Sequence, residues 1–185
     1  MGDAFGRAFA TLNRGAAFLG AGLRGAREGD VHTVAAPISG PHRAKVIANG
    51  LRELDRFLNL LIDEALRAQG QMVFPGQRNT ANKLAIYCAA HGRRDDHGAR
   101  LRALGRSRAC LLHCGGRVLR GDRRGAASMT AGWPELPGTQ TPLRRFRIGE
   151  MLVISAYDLA DIGDFYHRLA REIGTPATPG IARPE

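Results

Sequence analysis

The hydrophobic residues between positions 43 and 69 recur at the three- and four-residue spacing of an amphipathic helix. The apolar positions of this repeat are Ile47, Leu51, Leu54, Leu58, Leu61, Ile62 and Ala65. Most positions between them are polar or charged. Gly70 and the pair Pro75-Gly76 follow, and such residues commonly end a helix. Residues 43–69 are therefore the clearest predicted helix of the chain.

Three further segments have the pattern of helices. A second helix is predicted from Asn79 or Thr80, either of which is a suitable cap, to about residue 92. A third is predicted over residues 96–114, where two glycines stop it. Ser155 is a suitable cap for a fourth helix. The apolar face of that helix consists of Tyr157 or Leu159, Ile162, Phe165, Tyr166, Leu169 and Ile173.

The remaining segments complete a mainly α fold. Residues 4–27 are predicted to form a helix with Phe5, Phe9, Leu12 and Leu19 on one side, although its glycines weaken it. The stretch before the last helix is rich in Gly, Pro and Thr and has β-compatible pieces at 117–119 and 146–154. We therefore predict a helical bundle of four to five helices, with a small β-hairpin or irregular insertion before the last helix.

The length and the apolar pattern also predict the domain organisation. We expect a glycine-rich N-terminal helical arm over 1–30, a single helical-bundle domain over 31–174 and a disordered, proline-containing tail over 175–185. The longest apolar runs are much shorter than the roughly 20 residues that cross a bilayer. The first 30 residues also lack a clear signal-peptide cleavage site. The expectation is a cytoplasmic protein with no membrane partner.

The formal net charge is +10, and Lys45 and Lys83 are the only lysines, so the basic residues are almost all arginine. A cationic surface attracts phosphate-rich polymers. The same bias accompanies many alanines and glycines, so it has two interpretations. One is a nucleic-acid partner, and the other is a compositional preference without a binding role.

Cofactor and metal motifs are weak in this chain. Gly20-Ala-Gly22-Leu-Arg-Gly25 has the glycine spacing of a dinucleotide-binding loop, but no strand is predicted before it and no acidic residue follows about 20 positions later. We therefore expect no small-molecule cofactor. The helical pairs Cys88 with His91 and Cys110 with His113 leave zinc binding open, although reduced buried thiols are the simpler interpretation and no metal is expected.

The third predicted helix carries a pattern of arginine and histidine. Arg108 precedes His113 with four residues between them, and Arg106 precedes it with six. This segment resembles the HEPN superfamily, which is marked by an R-x(4 to 6)-H motif on a late helix. The resemblance implies a compact helical bundle, commonly a dimer, and in many members a metal-independent ribonuclease. Superfamily members usually have a polar residue directly after the motif arginine, whereas Ala109 follows Arg108 here.

A helical wheel separates the two arginines. Arg108 falls at the centre of an apolar stripe formed by Leu101, Leu104, Leu111 and Leu112. A guanidinium there needs a carboxylate, a subunit interface or a water-filled cleft. In the superfamily such a cleft lies at the dimer seam. The alternative is that Arg108 pairs with Asp63, Glu64 or another acid and only holds helices together. Arg106 and His113 share a different face of the helix.

The resemblance implies roles for these residues. His113 would act as base or acid in the attack of a ribose 2′-hydroxyl on the adjacent phosphodiester. Arg108, assisted by Arg106, would stabilise the charge on the phosphate oxygens. The predicted function is an RNA-cleaving homodimer of the toxin or defence type. A non-catalytic helical interaction protein is the alternative hypothesis, and a basic DNA-binding regulator is the third.

Overall fold

The computed structural model describes residues 3–20, 38, 40–73, 79–136 and 142–175. In these ranges the chain forms five helices and one antiparallel pair of strands, in the order α1 (Asp3–Leu19), α2 (Pro41–Ala68), α3 (Thr80–Ala90), α4 (Gly98–His113), β1 (Ser128–Pro134), β2 (Leu143–Arg147) and α5 (Ala156–Gly174). The prediction of a mainly α fold with a small hairpin before the last helix is confirmed.

Helix α2 lies at the centre of the fold and contacts each of the other four described helices. Its predicted apolar positions are all buried, and Leu58, Leu61 and Ile62 have no exposed surface. Full burial of one such side chain contributes roughly 1.5–3 kcal/mol relative to an exposed one. The one-sided pattern of α2 therefore determines where the neighbouring helices pack.

The predicted helix ends are also present. The Asn79 side chain accepts a hydrogen bond from the Asn82 amide at the start of α3. Ser155 and Asp158 form a reciprocal capping box at the start of α5. After α4, Gly115 and Gly116 have positive φ angles of 59° and 93°. Only glycine takes up this conformation without strain, so the two glycines stop α4 and turn the chain away.

Helix α1 belongs to the same core as the other helices. Phe5, Leu12 and Ala16 are buried, and α1 contacts α2 and α5. The α1–α5 approach is close, because a Cβ on Gly163 would lie 2.8 Å from the Ala16 carbonyl oxygen. The described part of the predicted 1–30 arm is thus a helix that ends at Leu19 and packs against the rest of the fold. Residues 21–37, which include most of the glycine motif, and residues 176–185 lie outside the described residues.

The two strands match the predicted β-compatible pieces only in part. Strand β1 was not anticipated, and β2 only overlaps the second piece, while Arg117 and Met151 form an isolated antiparallel bridge. Strand β1 is buried at every position from Ala131 to Pro134, because it packs on α4 and α5 as well as pairing with β2. A strand that is covered on both faces lacks the alternation by which a sequence reveals a strand.

Within the described ranges, no helix is both long enough and apolar enough to cross a membrane.

Candidate functional site

A groove of about 450 Å³ lies beside the C-terminal half of α4. One wall comes from positions of α4 and its end that share a helix face, and the rest comes from the following loop and from β1. The lining residues are Arg106, Ala109, Cys110, His113, Cys114, Leu119, Arg120, Gly121 and Met129. The groove therefore collects two arginines and one histidine around a largely apolar floor.

Arg106 is held in this groove by a carboxylate. Its Nε atom lies 2.9 Å from Oδ1 of Asp122, although the N–H is not aligned for a hydrogen bond. Asp122 also accepts hydrogen bonds from the backbone amide of Thr130 at 2.7 Å and from its hydroxyl at 2.5 Å. Burial alone would raise the pKa of Asp122, but the Thr130 hydrogen bonds and the charges of Arg106 and Arg145 hold it below its usual value. Asp122 is therefore ionised at neutral pH and fixes the Arg106 guanidinium.

His113 is the last residue of α4, and its side chain is exposed to solvent at the groove. No hydrogen bond to its ring occurs among the described residues. Three other described histidines differ from it, since His91, His97 and His167 each contact a partner side chain. The His113 ring is thus accessible to a ligand in the groove.

Arg108 lies apart from this groove. Its Nη1 atom donates a hydrogen bond of 3.0 Å to Oδ2 of Asp55, which links α4 to α2. Both side chains are about 30% exposed, at 31% and 26%. Tyr166 is buried beside this pair: burial raises its pKa, and the Asp55 charge raises it further. The structure therefore brings Arg106 and His113 to one groove and places Arg108 in an ion pair between helices.

This ion pair predicts a measurable coupling between Arg108 and Asp55. In a double-mutant cycle of Arg108→Ala and Asp55→Ala, we expect a coupling free energy of about 1 kcal/mol, because the pair is only partly shielded from water. Urea unfolding followed by circular dichroism measures it. A coupling free energy near zero would contradict a stabilising ion pair between Arg108 and Asp55.

The cysteines and histidines do not form a metal site in the part of the chain that the structure describes. No group of three or more His, Cys, Asp or Glu residues there is arranged to hold a metal ion. The ring nitrogens of His91 contact the Tyr87 carbonyl and the Gln69 side chain. Burial raises the pKa of Cys88, and it raises the pKa of Cys110 to about 11, so both are thiols at neutral pH.

Comparisons with known proteins do not assign this groove. No protein-family model, no curated protein and no solved structure matches the chain. The chemistry of the groove follows from its own side chains, which offer two cations, one imidazole and no metal-ligand set among the described residues.

A second groove of about 670 Å³ adjoins the first. It is lined by Ile148 and by the loop residues 119–127, and it shares Leu119, Arg120 and Gly121 with the first groove. Arg123 and Arg124 lie in this loop and are exposed. Neither arginine was among the predicted site residues. The available signal was a run of four arginines over residues 117–124, directly after the glycine stop of α4.

Proposed function

We propose that this protein binds RNA at the α4 groove and cleaves it without a metal ion, with His113 as the proton-transfer group and Arg106 as the phosphate-binding group. The observation that carries this proposal is the placement of Arg106 and His113 along one open groove, with Arg120 contributed by the next loop. Guanidinium groups bind phosphate oxygens strongly, and imidazole titrates near neutral pH.

The reaction needs only these two kinds of side chain. His113 accepts the proton of a ribose 2′-hydroxyl, and the resulting oxygen attacks the adjacent phosphorus. The bond from phosphorus to the 5′-oxygen breaks, and that oxygen takes up a proton from water. The products are a 2′,3′-cyclic phosphate and a 5′-hydroxyl. Arg106 stabilises the negative charge that builds on the non-bridging oxygens during the attack.

The position of Arg106 in the chain supports it as the motif arginine. Ser107 follows it directly, and a polar residue at this point is usual in the HEPN superfamily. Ser107 is fully buried, and its hydroxyl accepts a hydrogen bond of 3.2 Å from the Gly132 amide. It therefore fixes α4 against β1, which positions Arg106. The same resemblance implies a homodimer of the toxin or defence type.

A non-catalytic helical interaction protein is the second candidate function. The Arg108–Asp55 ion pair favours it, because the pair links α4 to α2 and gives this motif arginine a structural role. In this case the arginines of the loop 119–127 bind a partner protein, and His113 has no chemical role.

RNA cleavage in the presence of EDTA distinguishes the two candidates. The purified protein should cut a 5′-labelled, unstructured RNA in EDTA and leave 2′,3′-cyclic phosphate ends. A single 2′-deoxy nucleotide should block cleavage at its own position, because the attacking hydroxyl is missing. Absence of cleavage, dependence on added metal, or 3′-hydroxyl products would contradict the ribonuclease. Absence of any cleavage would favour the interaction protein.

A further inference from the structure

The two grooves beside α4 form neighbouring parts of one surface, since Leu119, Arg120 and Gly121 line both. We propose that a single-stranded RNA passes from the first groove into the second, where Arg123 and Arg124 bind its phosphates. This inference rests on the proposed function and specifies its substrate as unpaired RNA several nucleotides long. The second groove is a binding site outside the Arg106–His113 pair.

The charge of the second groove fits a polyanion. Arg120, Arg123 and Arg124 are exposed, and none of them forms an ion pair with a described residue. The only acidic residue of this groove is Asp122, whose carboxylate is already bound by Thr130 and Arg106. Three free guanidinium groups therefore remain within five residues of the chain. When these groups bind phosphates, counterions are released from the nucleic-acid backbone, and this release favours binding.

The apolar residues of the same groove favour an unpaired strand. Leu119 is 58% exposed and Ile148 is 51% exposed, and both line the groove among the arginines. A duplex presents mainly phosphate and sugar to a protein surface, because its base faces are stacked inside. A single strand can turn its bases onto apolar side chains while its phosphates meet the arginines. Only the single strand covers both kinds of residue in this groove.

Contacts within the loop and with β1 hold the loop in shape. The Asp122 amide donates a hydrogen bond of 3.0 Å to the Ser128 carbonyl, and the Ala126 amide donates one of 3.0 Å to the Arg123 carbonyl. Gly121 approaches Ala126 so closely that a Cβ would lie 2.2 Å from the Ala126 carbonyl oxygen. Binding to such a preorganised loop loses less conformational entropy than binding to a flexible one.

The charge part of this proposal is tested by binding a 12-nucleotide 2′-O-methyl oligouridylate, which cannot be cleaved because its 2′-oxygens are blocked. Fluorescence anisotropy should show at least about tenfold weaker binding for Arg123→Gln/Arg124→Gln at moderate salt. The slope of log Kd against log salt should fall by about 1.4, since each lost phosphate contact on a single strand contributes about 0.7.

A matched variant controls for the change in net charge. Arg43→Gln/Arg168→Gln removes two exposed arginines that line neither groove, so its binding should stay within about twofold of the unaltered protein. An equal loss of affinity in both double variants, or no loss in either, would contradict the proposed binding site. Circular dichroism confirms that all variants are folded.

The single-strand part is tested with the same oligonucleotide annealed to its complement. The duplex should bind about tenfold more weakly than the single strand to the unaltered protein. Leu119→Ser/Ile148→Ser should remove most of this difference, whereas Met72→Ser, at an exposed position of neither groove, should keep it. A duplex that binds as tightly as the single strand would overturn the proposal and favour double-stranded nucleic acid.

The failures of the two proposals are distinguishable. If the protein binds the oligonucleotide through Arg123 and Arg124 but does not cleave RNA, catalysis is refuted and the binding path stands. If it cleaves RNA in EDTA while Arg123→Gln/Arg124→Gln binds normally, the path is refuted and the ribonuclease stands.

Discussion

His113→Ala is expected to reduce RNA cleavage at least about 100-fold, because positioned general acid–base groups typically contribute 10²- to 10⁴-fold. His113 is the histidine of the α4 groove, and histidine is the side chain that most often acts as a general acid or base. Initial rates on labelled RNA in EDTA, at a saturating and at a limiting RNA concentration, measure the loss. Both kcat and kcat/KM should fall, because the group acts in the transition state.

The fold should tolerate this substitution. His113 is exposed and ends α4, so its removal costs at most the small helix-dipole contribution of about 1 kcal/mol, a shift in Tm of about 2–4 °C. His42→Ala is the matched control, since His42 is also exposed on a helix but lines neither described groove. Retained cleavage in His113→Ala, or equal loss in His42→Ala, would remove His113 from the mechanism.

The helices of this fold could be predicted because burial on one side leaves a periodic pattern. Helices α2 and α5 each bury one continuous face, and every predicted apolar position from Ile162 to Ile173 on α5 is buried. The starts of α5 and α3 could be predicted from the capping residues Ser155 and Asn79. Strand β1 could not, because its last four residues are buried on both faces by α4, α5 and β2.

The partner of Arg108 shows why contacts between helices are harder to predict. The wheel indicated that this guanidinium needs a carboxylate, and Asp63 and Glu64 were candidates. In the structure Asp63 accepts hydrogen bonds from the buried Lys83 of α3 at 2.8 and 2.9 Å, and Asp55 binds Arg108. Both acids lie on α2, and the rotation of α2 against α3 and α4 decides which acid meets which cation. That rotation is fixed by core packing across helices and not by the local pattern.

The residues of the candidate site could likewise be predicted only in part. Arg106 and His113 could be placed on one face, since both lie on a single helix of known period. Asp122 and Arg120 join them through a loop that reverses after Gly115 and Gly116, and a loop path has no such period. The glycine stop predicted that the chain turns there. It did not predict that the turn would bring Asp122 back to within 2.9 Å of Arg106.

Trp133→Ala is expected to destabilise the protein by about 3–5 kcal/mol, the usual cost of removing a buried aromatic ring. Trp133 has no exposed surface, packs edge-on against Phe146 with ring centroids 6.5 Å apart, and donates an Nε1 hydrogen bond of 3.2 Å to the Val153 carbonyl. Thermal unfolding followed by circular dichroism should show a Tm lower by about 10 °C. Trp133→Phe keeps most of the ring and should lose less than half as much stability.

Because β1 also carries Thr130, which binds Asp122, Trp133→Ala should lose RNA cleavage at lower temperature than the unaltered protein. A Tm within 2–3 °C of the unaltered value, roughly the effect of 1 kcal/mol, would contradict the packing of the hairpin on α4 and α5.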